Sequence, residues 1–187
     1  MPEDPQQLLT IVLVAYACAV AAVDLATRRI PNGVTLVATA AGLLLSAMSG
    51  ASPQLASAGL GLATALFVFL PMYLAGGLGA GDVKAMAAVG ACLGVPGVFI
   101  AIGFTLVGGA IAAIAVLLFA GELVPTAQRL HANVLLARAG GSSRSIQPGP
   151  GAAAARRFPY GMAIAGGALA ALWWTGRFEA LFAGGLQ

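Results

Sequence analysis

Residues 76–84 read Gly-Gly-Leu-Gly-Ala-Gly-Asp-Val-Lys, and the fold turns on how that run is interpreted. Asp82 is the only acidic residue between Asp24 and Glu122. No charge occurs from Gly33 to Gly81, and none from Ala85 to Gly121. An ionisable group inside so apolar a chain is costly at membrane depth and marks a functional site by default. Gly76, Gly77, Gly79 and Gly81 remove side chains ahead of it. They either let another chain come close to the backbone or let the backbone bend into a helix whose first turn carries Asp82.

Outward from that run, the composition sets the class. Of 187 residues, 60% are apolar and 8% charged, whereas a soluble domain carries about 25% charged residues. The chain is expected to be an all-α integral membrane bundle, a single membrane-embedded domain over residues 1–187. Cys18 and Cys92 fall inside apolar runs with no CxxC spacing, and His131 stands alone in a polar stretch. They read as small core residues and a solvated side chain. Neither a metal, a cofactor nor a nucleic-acid partner is expected.

Six spans are predicted. The N-terminal Met1–Gln7 holds Glu3 and Asp4 but no Lys or Arg. A signal peptide begins with basic residues, so the run Leu8–Val23 is expected to stay as span 1. Pro31 breaks the chain, and Asn32, a good N-cap, opens span 2 through Met48. Span 3 covers Leu55–Ala75, with a kink expected at Pro71. Span 4, Val83–Val95, ends at Gly94 and Pro96, and span 5 runs from Gly97 to Ala120. Residues 121–157 read as a polar loop containing Gly140, Gly141, Ser142, Ser143 and Pro148-Gly149-Pro150. Span 6 covers Phe158–Thr175, followed by a tail. Small residues along the spans (Ser57, Gly61, Gly90, Gly94, Gly166, Gly167) suit close helix packing in lipid.

Charge placement sets the orientation. With the N-terminus outside, Arg28, Arg29, Lys84, Arg129, Arg138, Arg144, Arg156 and Arg157 all fall on the cytoplasmic side, and only Arg177 falls outside. Omitting the short span 4 would put the five arginines of residues 121–157 outside, against the positive-inside rule. Six spans place Asp24 at the cytoplasmic end of helix 1 and Asp82 at the cytoplasmic start of helix 4, at one depth.

Two carboxyls sharing a site do not both ionise easily. One holds a proton, the other is charged, and a water between them becomes a nucleophile. That is aspartic proteolysis, and it requires neither a metal nor a cysteine or serine nucleophile. The helix dipoles suggest a division of labour, with Asp82 at a helix N-terminus the readier anion and Asp24 at a C-terminus the proton holder. Plainer readings stand beside this one. Asp24 pairs with Arg28 one turn on, or Asp82 is a helix cap with Lys84 as a snorkelling anchor. A small ion- or proton-coupled transporter using Asp24 and Asp82, or a structural membrane subunit, are the competing classes. A transporter predicts polarity continuing across the bilayer, and the outer halves of the spans offer only scattered Ser and Thr.

Three elements carry a resemblance. Gly79-Ala80-Gly81-Asp82-Val83-Lys84 resembles the GxGD motif of the type IV prepilin peptidases. Asp24 with Arg29-Ile30-Pro31-Asn32 resembles the family's first aspartate motif, and Phe158-Pro159-Tyr160-Gly161 its third motif, all in the family's order. The chain looks like the short, Tad-type members that process Flp pilins. The resemblance implies a membrane aspartyl endopeptidase of the bacterial inner membrane that removes a short basic leader from prepilins or pseudopilins at the cytoplasmic face. It implies Asp24 and Asp82 as the catalytic pair and substrate contact by Gly79, Gly81, Lys84, Arg29, Pro31, Asn32, Pro159, Tyr160 and Gly161. It also implies the lipid bilayer, and pilus assembly or secretion machinery, as partners. Longer members carry an insert with two CxxC pairs and methylate the new pilin N-terminus. This chain has no such insert, which argues against methyltransferase activity.

Overall fold

A computed structural model describes residues 5–28, 30–49, 52–138 and 160–179. Every regular element among them is a helix: α1 (Pro5–Thr27), α2 (Asn32–Met48), α3 (Ser52–Leu74), α4 (Ala80–Phe119), α5 (Leu123–Arg138) and α6 (Tyr160–Trp174). Three are long and apolar enough to cross a membrane: Pro5–Thr27, Gln54–Leu74 within α3, and Ala80–Phe119. The helices α2 and α6 are shorter but equally apolar in character. Their outer faces carry large bare side chains, such as Leu36 and Val37 on α2 and Phe67 on α3, each at least 70% exposed. A water-soluble monomer does not tolerate so much bare apolar surface, whereas lipid does. This is a membrane protein.

The chain divides into two compact units, residues 1–108 with 159–187, and residues 109–158. In the first unit, α1 buries Leu9, Leu13, Tyr16, Ala17, Val20 and Asp24. These recur every three or four positions, so they form one stripe along the helix. Asp24 is the last member of that stripe, which is why it is buried. Ala38, Gly42 and Ser46 form the inner face of α2. Ile164, Ala165, Ala168, Ala171 and Leu172 do the same for α6, which packs on α1.

Small residues set the close crossings. A Cβ on Gly61 of α3 or on Gly90 of α4 would run into the other's backbone, so these two helices meet main chain to main chain. Gly167 lies equally tight against Thr105 of α4, but Gly166 faces open space and plays no part.

The boundaries differ from the sequence expectation in three places. Helix α1 extends a turn beyond Leu8–Val23 at each end. Asn32 is the first helical residue of α2 rather than its cap, and Pro31, extended at φ −65° and ψ 134°, holds the cap position without a side-chain bond. That frees the Asn32 amide for another partner. Within Ala80–Phe119 the expected boundary between spans 4 and 5 stands, as a break at Gly94. At ~1.5 Å per residue this run is roughly twice as long as a bilayer core is thick. Helix α3 remains helical through Pro71.

The third difference lies in the second unit. Residues expected to start a polar loop instead form α5, Leu123–Arg138. Leu, Ala, Gln and Arg favour helix, and Pro125 falls in the first turn, where its missing N–H costs nothing. Between α4 and α5, Gly121 adopts φ 68°, and the Gly121 and Glu122 amides bond back to Leu118 and Leu117. The Gly-, Ser- and Pro-rich part of the expected loop lies outside the described residues.

Candidate functional site

The glycine stretch resolves into separate tasks. Gly76 ends α3: it takes φ 77°, its N–H bonds Tyr73 O, and the next N–H, from Gly77, bonds Met72 O. This is a Schellman closure, which puts a residue in the left-handed region where glycine has no Cβ penalty. Gly79 stands just before α4, and its N–H donates to Asp82 Oδ2 at 3.0 Å. Asp82 is the third residue of the helix, so this is the acidic half of a capping box, with the anion at the helix's positive end. The plain reading of Asp82 as a cap is therefore correct as geometry. It leaves the other carboxylate oxygen for further chemistry, and Asp82 is only half-buried. Gly81 rests beside Ile30, where a Cβ would sit 3.4 Å from the Ile30 Cβ.

Asp24 is 5% exposed. Its Oδ2 accepts the N–H of Gly161 at 2.7 Å, across 137 positions of sequence. Gly161 lies in the first turn of α6, so Asp24 supplies a carboxylate to a helix N-terminus that is not its own. Any side chain there would displace it, because a Cβ on Gly161 would come within 2.7–2.9 Å of the Asp24 carboxyl group. Arg28, by contrast, is exposed with its backbone at φ 53°, and the Asp24 carboxylate is held by Gly161 instead. Both aspartates thus face the N-terminal turn of a helix. The expected division of labour between α4 and α1 omitted the α6 N-terminus, which also favours an anion at Asp24.

The two carboxyls lie within direct electrostatic reach of each other, and Tyr160, half-buried at the start of α6, lies within reach of Asp82. Around them the bundle is fastened by two further bonds. Tyr16 Oη donates to Ala85 O at 3.3 Å, tying α1 to α4. Lys84 Nζ donates to Asn32 Oδ1 at 3.0 Å, tying the start of α4 to the start of α2. Beside this last bond lies an apolar cavity of about 450 Å³, lined by Thr35, Leu36, Thr39, Leu62, Leu66 and Ala87 with Asn32 and Lys84.

The structure therefore gathers Asp24, Asp82, Gly79, Tyr160 and Gly161 into one cluster and joins Asn32 to Lys84. Pro31 is exposed at the N-cap of α2. Arg29 and Pro159 lie outside the described residues. Sequence reasoning missed one contributor, Tyr16, and quoted Ile30 within a motif without giving it a task of its own. The signal for Tyr16 was available, since it is the one polar member of the α1 stripe besides Thr10 and Asp24.

A family model for type IV leader peptidases matches residues 11–119, more than half of the chain, taking in both aspartates, Asn32 and the glycine stretch. The chain belongs to the type IV leader peptidase family. It is a protease of that family, and the family's substrates are prepilins. Tyr160 and Gly161, which complete the seat of Asp24, lie beyond the matched residues. No curated protein and no solved structure matches the chain.

Proposed function

We propose that this leader peptidase is an aspartyl endopeptidase in which Asp24 and Asp82 share one proton and activate one water. The observation that supports this reading is that two carboxyls, carried on helix ends far apart in sequence, lie close enough to feel each other's charge. The charged carboxylate takes a proton from the water as its oxygen attacks the scissile carbonyl carbon. The protonated carboxyl gives its proton to the carbonyl oxygen, so a neutral gem-diol forms. Collapse of the diol breaks the C–N bond, the leaving nitrogen takes a proton, and the pair returns to its starting state. Gly79 and Gly81 leave space for the substrate backbone beside the acids, and Tyr160 borders the same space.

The substrate in this reading is a Flp-type prepilin or pseudopilin, cut between its basic leader and its apolar helix. The site then faces the cytoplasm in a multi-pass inner-membrane bundle of six spans with the N-terminus outside. Positive-inside charge supports that orientation, and the Gly94 interruption supports counting α4 as two spans. Pilus assembly machinery is the expected neighbour.

Co-expression with a candidate prepilin tests the reading. Asp24→Asn and Asp82→Asn each abolish leader removal while the protein still accumulates in the membrane. Full cleavage by either variant rejects the catalytic pair. Flux of ions that depends on both aspartates, with cleavage intact, would instead support a transporter.

A further inference from the structure

The run of α4 is broken at Gly94, at φ 70° and ψ −172°. A break in an apolar bundle leaves backbone groups without helical partners, and each such group costs several kcal/mol in a lipid setting unless something else bonds it. Pro96 worsens the shortage, because it has no N–H to offer the carbonyl of Cys92 four positions back. Here both sides of the break are supplied from other helices. Val95 N–H donates to Ser57 Oγ of α3 at 3.0 Å. Arg177, just past the end of α6, donates Nη1 to Cys92 O at 3.5 Å and Nη2 to Leu93 O at 3.4 Å. The contacts are long, but a guanidinium offers two parallel donors and a full positive charge to the negative end of a helix.

The segment from Ala80 to Leu93 is thus a half-helix about 20 Å long with a carboxylate at its start and a borrowed cation at its end. The same α6 that leads into Arg177 carries Gly161 in its first turn, and the Gly161 N–H holds Asp24. One rod, α6, therefore grips Asp24 at its first turn and the far end of the Asp82 half-helix just beyond its last.

We propose that Arg177 is a positioning residue for the aspartate pair: by clamping Cys92 and Leu93 it fixes the height of the Asp82 half-helix against the rod that seats Asp24. This rests on the catalytic reading of the two aspartates. A misplacement of 1 Å between reacting groups is enough to cost about 100-fold in rate, so axial play in the half-helix translates directly into turnover.

The test uses the full-length protein in proteoliposomes with a purified prepilin, each rate divided by the folded fraction from thermal unfolding. Arg177→Ala is expected to lower kcat at least tenfold while KM stays within twofold, and guanidinium chloride at tens of millimolar is expected to restore part of kcat where sodium chloride does not. Arg177→Lys, with one donor centre in place of a fork, is expected to lose about threefold in kcat, and it decides the matter if the Ala variant does not accumulate. Wild-type kcat per folded molecule in Arg177→Lys and Arg177→Ala, or guanidinium raising thermal stability without raising kcat, overturns the proposal. Asp82→Asn, inactive with or without guanidinium, is the control: cleavage by that variant overturns the catalytic reading instead, and the two failures are told apart.

Discussion

The seats of the two aspartates are built in opposite ways. Asp82 is held by its own neighbourhood, through the N–H of Gly79 three residues earlier. Asp24 is held by a residue 137 positions away, in a helix that packs alongside its own. A local seat survives small movements of the bundle because its donor and acceptor travel together. A remote seat exists only while two helices keep their relative height. The site thus pairs a carboxyl with a fixed ligand and one whose ligand depends on tertiary packing.

That contrast can be tested by disturbing each seat in turn. Gly161→Ala should have the largest effect. The new methyl group falls within 2.9 Å of the Asp24 carboxyl, and overpacking of that kind costs about 1–3 kcal/mol, so leader cleavage should fall by up to about 100-fold. Initial rates of prepilin processing would measure this; near-normal cleavage would mean that Asp24 does not need its remote partner. Gly79→Ala should be milder, about tenfold in the same assay, since its Cβ would lie 3.1 Å from Asp82 Oδ2 and the local turn can adjust. A loss larger than that of Gly161→Ala would reverse the comparison. Tyr16→Phe removes the bond that ties the two seats together at Ala85. Hydrogen bonds between membrane helices average about 0.6 kcal/mol, so unfolding in detergent should register a loss of that order. Lys84→Met, which releases Asn32 at an exposed position, should change both stability and cleavage least, within about threefold.

The same division governs what could be read from the sequence. Asp82, its glycines and its place in a helix's first turn follow from chemistry within nine consecutive residues, and they were legible. The Asp24 stripe was legible too, since its periodicity is local. The bond from Gly161 was not: nothing in residues 11–27 points to a particular amide in α6. The sharing of tasks among the glycines was hidden for a related reason. Gly76 serves the helix before it and Gly79 the helix after it, and only the hydrogen bonds separate the two. Gly94 and Pro96 announced the boundary within Ala80–Phe119, because a left-handed glycine and a missing N–H are local signals. Arg177 was read as a lone charge on the outer side, because its partners are carbonyls, which every residue has. In residues 121–157 the breakers of the second half obscured the helix formers of the first, and α5 was missed.

The remote seat also bears on how the protein is made. Asp24 emerges from the ribosome early, and Gly161 follows 137 residues later. At about 5–20 residues per second, synthesis leaves that interval at roughly ten seconds. Through those seconds the nascent chain holds Asp24 without the amide that seats it. With Asp24 as one of the proposed catalytic pair, leader cleavage waits for α6 to dock on α1, so the order of synthesis delays activity.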